Sequence, residues 1–169
     1  MGYQLIETIE VGSGGAASIE FTGIDQTGVS LVLLTSLRHS ATWSLPSLRF
    51  NEDTTYSNYT NLRLEGSGSS PYTESNTGAN LGAGVMTTSA QTASTFASNQ
   101  IYISNYAGSA AKSWSVDGVQ ENNATAATQM ILAGSWSGTA AITKVVLWSP
   151  GGGTFVQNST ASIYLITAD

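Results

Sequence analysis

Cysteine is absent from this 169-residue chain, and charged residues make up only 9% of it. Without cysteine there is no disulfide framework, zinc ribbon or thiol chemistry. A single histidine, His39, excludes a metal site with several histidine ligands. Five Lys and Arg against eleven Asp and Glu give a net charge of −6, so no basic stripe can neutralise a phosphate backbone. We therefore expect no cofactor, no metal and no nucleic acid.

Long apolar runs are also missing. The most apolar stretch, 29–37, is interrupted by Ser30, Thr35 and Ser36. It is far shorter than the roughly 20 residues that a membrane helix needs. The first residues contain no basic region followed by an apolar one, so we expect no signal peptide and no membrane association.

The chain does contain 24 serines, 21 threonines and 18 glycines, and its apolar residues recur with a period of two. Leu62 and Leu64 alternate with polar residues, as do Trp114 and Val116. Successive side chains of a strand point to opposite faces, so this alternation predicts half-buried strands. Roughly ten such strands, separated by turn signals, indicate an all-β, jelly-roll-like antiparallel β-sandwich. The length predicts one domain over 1–169.

Two segments are harder to interpret. The stretch 66–98 is polar and poor in large apolar residues, which favours a long surface loop. The stretch 122–133 is rich in alanine and could form a short helix. Its consecutive apolar residues also fit a buried strand, and we favour a loop followed by a strand.

Two predicted strands, 142–148 and 162–166, are apolar on both faces. A strand of this kind must be covered on both sides. The second cover is either another subunit or a long loop of the same chain. If it is a subunit, the candidate interface residues are Val146, Trp148, Tyr164 and Ile166.

Three motifs resemble functional signatures but lack their context. Gly12–Ala17 fits a dinucleotide-binding pattern, yet a strand-like segment follows where a helix is required. Gly134–Gly138 has the spacing of a nucleophile elbow, but Trp136 occupies the place of the serine. Glu52 and Asp53 are adjacent carboxylates in a predicted turn, without calcium-loop spacing. We therefore expect no catalytic residues and no enzyme activity.

Several tyrosines lie in segments rich in Asn and Ser, among them Tyr56, Tyr59 and Tyr72. A tyrosine ring beside amide side chains can stack on a sugar ring. Tyrosine is also enriched in protein interfaces. The third interpretation is partial burial with the hydroxyl in water.

The chain resembles a family of virion structural proteins of tailed bacteriophages that is common in marine phages. The resemblance covers most of the chain and rests on three blocks of strand and turn sequence. The first runs from Leu5–Thr8 through Gly12–Ile19, and the second comprises Ser47–Asn51, Ser57–Tyr59, Leu62–Arg63 and Gly66–Gly68. The third comprises Ser115–Gly118, Glu121–Ala124, Ala133–Trp136, Thr139–Thr143, Phe155–Val156 and Ile163–Ile166.

This resemblance implies a phage particle protein with a jelly-roll-like β-sandwich and no catalytic residues. Our first expectation is a capsid decoration, or cement, protein. Such a protein is made in the cytoplasm of the host bacterium, forms a homotrimer and binds the major capsid protein on the outside of the assembled head. We expect the strand Tyr3–Val11 or an adjacent loop to contact the capsid. The alternative is the head domain of a tail fibre or spike that binds a host surface glycan. Candidate residues for capsid or glycan contact are Tyr3, Tyr56, Tyr59 and Tyr72.

Overall fold

The computed structural model describes residues 2–42, 45–68, 70–78, 82–122 and 126–168, without the side chains of Asn122 and Ala126. Eleven strands lie within these ranges, and a short 3-10 turn at Tyr56–Asn58 precedes the fifth. The strands are β1 (Gly2–Glu10), β2 (Ser18–Thr22), β3 (Ser30–Leu37), β4 (Ser47–Phe50), β5 (Tyr59–Gly66), β6 (Pro71–Thr77), β7 (Ala97–Ser104), β8 (Lys112–Asn122), β9 (Ala126–Trp136), β10 (Lys144–Trp148) and β11 (Thr160–Thr167).

The strands form two antiparallel sheets of unequal size. The large sheet has eight strands in the order β1-β11-β3-β7-β8-β9-β5-β6, and the small sheet has three in the order β2-β10-β4. The apolar inward faces of both sheets contribute to one buried core. The prediction of an all-β antiparallel sandwich in a single domain is confirmed.

The alternation in the sequence produces two different faces on each strand of the large sheet. In β7, Ile101 and Ile103 are buried, whereas the intervening Gln100 and Tyr102 are exposed. The same rule explains a glycine in the middle of β9. Gly134 pairs with Trp114 of β8, and a Cβ on Gly134 would lie 2.2 Å from the Trp114 ring. The indole therefore requires glycine at this position.

Four aromatic rings form the centre of the core at one end of the sandwich. Phe50 of the small sheet packs against Tyr59, Trp114 and Trp136 of the large sheet, with centroid distances from 5.5 to 6.3 Å. Tyr59 and Trp136 are cross-strand partners and stack at 6.3 Å. This cluster joins the two sheets through large apolar surfaces.

The stretch 66–98, predicted as a surface loop, is only partly a loop. Pro71–Thr77 forms β6 at the edge of the large sheet. Further along, Ala83, Val85 and Met86 are fully buried in the core. The prediction was wrong here because a few apolar residues within a polar segment, of which Met86 is the largest, are enough to cover the inner face of the sheet.

The stretch 122–133 contains strand and no helix among its described residues. β8 ends at Asn122, and β9 runs from Ala126 with Met130 and Leu132 buried. The strand begins at Ala126, near the start of this stretch, and residues 123–125 before it lie outside the described residues. The strand that we favoured is present.

The burial of His39 is expected to make the stability of the protein sensitive to acid. Its side chain is fully buried, and the Ala41 N–H donates a hydrogen bond to Nδ1 at 3.3 Å. Burial lowers the pKa of His39 below its ordinary value of 6.5. The unfolded chain therefore binds a proton more readily than the folded one, and stability is lost as the pH falls below 6.5. We expect the Tm of wild type to fall between about pH 7.5 and pH 5, and the His39→Gln variant to lose that part of the slope. An equal slope in both proteins would assign the acid sensitivity to other groups.

Candidate docking surface

The outward face of the large sheet, here called the broad face, carries most of the exposed apolar side chains. Of the described residues, eleven large apolar side chains are exposed, and eight of them lie on this face. The eight are Tyr3, Leu5, Leu34, Leu62, Leu64, Tyr102, Val119 and Ile131. Grouped exposure of apolar residues on one face is typical of an interaction surface.

Strand register brings these side chains together in two patches. The aliphatic patch comprises Leu62, Leu64, Val119 and Ile131, and Leu64 is the direct cross-strand partner of Ile131. The tyrosine patch comprises Tyr3, Leu5, Tyr102 and Tyr164, in which the Tyr3 and Tyr164 rings meet edge to face at 6.5 Å. The two patches lie towards opposite edges of the sheet.

Between the apolar side chains, neighbouring hydroxyls pair with each other. Thr60 and Ser135 share a hydrogen bond of 2.6 Å across β5 and β9. Ser30 and Tyr102 share one of 2.8 Å, and Thr8 and Ser162 another of 2.8 Å. These cross-strand bonds satisfy polar groups within the sheet, so the face between its apolar side chains is polar but largely uncharged.

No Lys or Arg of the described residues lies on the broad face. The five cations of the chain are all engaged elsewhere. Arg38 donates to carbonyls of the 91–95 loop, Arg49 lies over the Trp148 ring at 4.9 Å, Arg63 pairs with Glu74 on the inward side, Lys112 is buried, and Lys144 pairs with Glu20 and Glu52.

Lys112 shows how completely one of these cations is used by the fold. Its ammonium group donates to the carbonyl oxygens of Gly108 at 2.7 Å and Thr139 at 3.4 Å, and also to that of Ala110. Burial lowers the pKa of Lys112. The residue therefore joins two loops and is unavailable to a ligand.

Asp117 is the one carboxylate in the interior of the broad face among the described residues. It is exposed on β8, with Gln100 and Ile131 as its cross-strand neighbours. No described residue hydrogen-bonds its side chain. Glu10 and Glu121 also point outward, but they lie at the ends of their strands.

Two shallow depressions flank Asp117 and Val119. One, of about 490 Å³, crosses β11, β3, β7 and β8, and is lined by Leu34, Gln100, Asp117 and Val119 among others. The other, of about 470 Å³, continues across β9, β5 and β6 and shares Val119 with the first. The broad face thus has relief along its length, with hydroxyl and amide groups on its floor.

The predicted subunit interface is corrected in part by the structure. Val146 and Ile166 are each only 5% exposed in the single chain, so neither can supply contact area. The prediction failed for them because neighbouring side chains of the same chain cover both residues. Trp148 and Tyr164 are half-buried and retain some accessible surface.

The predicted contact tyrosines do not form one site. Tyr59 is 1% exposed, and burial raises its pKa to about 12, so its assignment to a contact surface was wrong. Tyr3 and Tyr72 are exposed but lie on the opposite edge strands β1 and β6. At about 4.8 Å per strand these edges are about 34 Å apart. Tyr56 lies on the separate 3-10 turn.

The adjacent carboxylates Glu52 and Asp53 serve the fold. Glu52 pairs with Lys144, whereas Asp53 accepts hydrogen bonds from Asn58 Nδ2 at 2.8 Å and Trp136 Nε1 at 2.7 Å. Burial raises the pKa of Asp53, but these bonds and those from Thr55 outweigh it and lower the pKa to about 2. Among the described residues, no group of three His, Cys, Asp or Glu could hold a metal ion.

Leu34, Val119, Ile131 and Asp117 were not singled out by the sequence analysis. Their positions on the outward parity of predicted strands could have marked them as exposed. Their proximity could not be predicted, because it depends on which strands pair.

Comparisons with protein-family models, curated proteins and solved structures find no match to this chain. In the part of the chain that the structure describes, no helix is both long and apolar enough to cross a membrane.

Proposed function

We propose that this chain is a non-catalytic structural protein of a tailed bacteriophage particle, a homotrimeric decoration protein that binds the major capsid protein on the outside of the head. The observation that carries the proposal is the broad face, on which eight of the eleven exposed large apolar side chains lie together. The sequence resemblance points to a phage particle, and the broad face is a surface through which the chain can bind to it.

The size of the broad face suits a specific protein contact. Seven strand spacings span about 34 Å, and the strands of the large sheet, of about nine residues on average, are about 30 Å long, giving roughly 1,000 Å². A stable protein interface buries about this area on each partner. The outward side of the small sheet is less suitable, because Lys144 and its partners Glu20 and Glu52 keep it charged and solvated.

Trimer formation would strengthen attachment without further contacts per subunit. Three linked subunits that each bind a neighbouring site gain avidity, because the second and third binding events become intramolecular. Trp148 is the proposed subunit contact, since it keeps accessible surface on the small-sheet side, whereas Tyr164 belongs to the tyrosine patch of the broad face. An eight-stranded antiparallel sheet forms a stiff plate that can join neighbouring capsid subunits.

The test is binding to isolated heads that lack the protein. We expect wild type to sediment with the heads, and the double variant Leu64→Thr and Ile131→Thr to bind at least 10-fold more weakly. Threonine suits a strand, and each replacement removes about 1–1.5 kcal/mol of apolar burial. The control is Tyr56→Thr, an exposed aromatic residue that lies away from the broad face.

Three results would contradict the proposal. Equal binding by the double variant and the control would show that the broad face does not contact the capsid. If wild type does not sediment with heads, the protein is not a decoration protein. Presence in few copies per particle, together with inhibition of infection by free protein, would favour the fibre or spike head domain that binds a host glycan.

A further inference from the structure

We infer that Asp117 selects the partner of the broad face: the contacting surface carries a lysine or arginine opposite this carboxylate, and a second copy of the chain is excluded. This inference rests on the proposed function, because it names the chemistry of the surface that the broad face binds. It concerns one exposed residue within a face whose other interior positions, among the described residues, are uncharged.

The first step is the position of Asp117. β8 is the fifth of the eight strands, so Asp117 lies near the middle of the face. Ile131 on one side is 56% exposed, and Val119 on the same strand is 45% exposed. A partner that covers these apolar side chains must also cover the carboxylate between them. Asp117 would then lose its water.

The second step is the cost of that desolvation. A buried carboxylate is strongly unfavourable unless it is paired and hydrogen-bonded. The broad face itself cannot supply the pair, because no Lys or Arg of the described residues lies on it and no described residue bonds to Asp117. The compensating cation must therefore come from the partner. Gln100 beside Asp117 can accept a further hydrogen bond from the same cationic group.

The third step excludes self-pairing. Two broad faces are matched in area and apolar character, and two sheets can pack face to face. A two-fold axis near the middle of the face would bring the two Asp117 carboxylates together without a cation. Charged side chains on otherwise apolar sheet surfaces prevent such association. Asp117 thus keeps the face open for a different partner.

The experiment compares Asp117→Asn with wild type in two measurements. In head sedimentation at low salt, we expect the variant to bind at least 10-fold more weakly, because the partner's cation loses its counter-charge. Wild-type binding should weaken as sodium chloride is raised, and the variant should show a smaller salt dependence. In sedimentation velocity without heads, the variant should form species larger than those of wild type as concentration rises.

The matched control is Glu52→Gln, which makes the same change in net charge at an exposed residue beside Lys144, on the small-sheet side. This control should bind heads like wild type and should not self-associate. If Asp117→Asn binds heads as tightly as wild type, the inference is wrong while the proposed function stands. An unchanged association state of Asp117→Asn would overturn the exclusion of a second copy. If wild type does not bind heads, the proposed function fails, and the inference that the partner carries a cation fails with it.

Discussion

Replacing Asp53 with alanine is expected to lower the free energy of unfolding by about 3 kcal/mol, because one carboxylate holds both a loop and a core tryptophan. Asp53 accepts from the indole of Trp136 at 2.7 Å and from the Thr55 N–H at 2.9 Å. The substitution leaves the Trp136 N–H largely buried without an acceptor. Since Trp136 stacks on Tyr59, we expect the aromatic cluster to loosen as well.

Urea denaturation measures this loss, with Asp25→Ala as the matched control. Asp25 makes the same turn contact, accepting from the Thr27 N–H at 2.9 Å, but it is exposed and bonds no tryptophan. Its replacement should cost less than about 1 kcal/mol. Equal losses in the two variants would show that the Trp136 bond contributes nothing.

Asp53→Ala should also change how the free energy of unfolding depends on pH in the acid range. The pKa of Asp53 falls from 3.8 to about 2 on folding, so the stabilisation is present above 3.8 and is lost as the pH falls towards 2. The slope in this window should be smaller in Asp53→Ala than in wild type. This window lies well below the one assigned to His39, so the two contributions can be separated.

Replacing Asn99 with alanine is expected to cost about 3 kcal/mol by releasing the buried 83–88 segment from the inner face of the large sheet. Asn99 Oδ1 accepts from the Val85 N–H at 2.8 Å, and Nδ2 donates to the Val85 carbonyl at 2.9 Å and to Thr35 Oγ1 at 3.0 Å. Alanine leaves both backbone groups of Val85 unpaired in the core. It also leaves a cavity over Gly118, where a Cβ would lie 2.4 Å from Asn99 Oδ1.

Hydrogen exchange across 83–88, together with denaturant unfolding, tests this prediction. The control is Gln100→Ala, at the next position of the same strand, whose side chain is exposed on the opposite face. That change should stay within about 0.5 kcal/mol of wild type. Unchanged protection at Val85 in Asn99→Ala would show that apolar packing alone holds the segment.

Asn99 also shows why part of the core could not be predicted from sequence. An asparagine followed by glutamine in a polar stretch resembles any exposed strand residue. It is buried because β7 lies between β3 and β8, and because 83–88 crosses the same place. The pairing of β1 with β11 similarly joins the two ends of the chain, with Gly2 opposite Thr167. Local patterns contain no information about contacts at such separations.

The candidate docking surface divides in the same way. The alternation around Leu62 and Leu64 predicted one wet and one dry side for the strand, and the structure agrees. The leucines lie on the solvent-exposed face, whereas Asn61 and Arg63 face inward and are buried. Parity alone shows that two faces exist, but it cannot show which face is covered when the inward side carries a charged residue such as Arg63, which pairs with Glu74.

The sequence by itself determined the all-β class, the alternation of the strands and the shortage of cations, because these follow from composition and from the two-residue repeat of an extended backbone. Only the tertiary structure decided that eight strands form one sheet and that its outward apolar residues lie side by side. It also decided that Asp117 lies among them with no hydrogen-bond partner among the described residues. Those properties depend on strand order, which is set by the burial of the whole chain rather than by any segment of it.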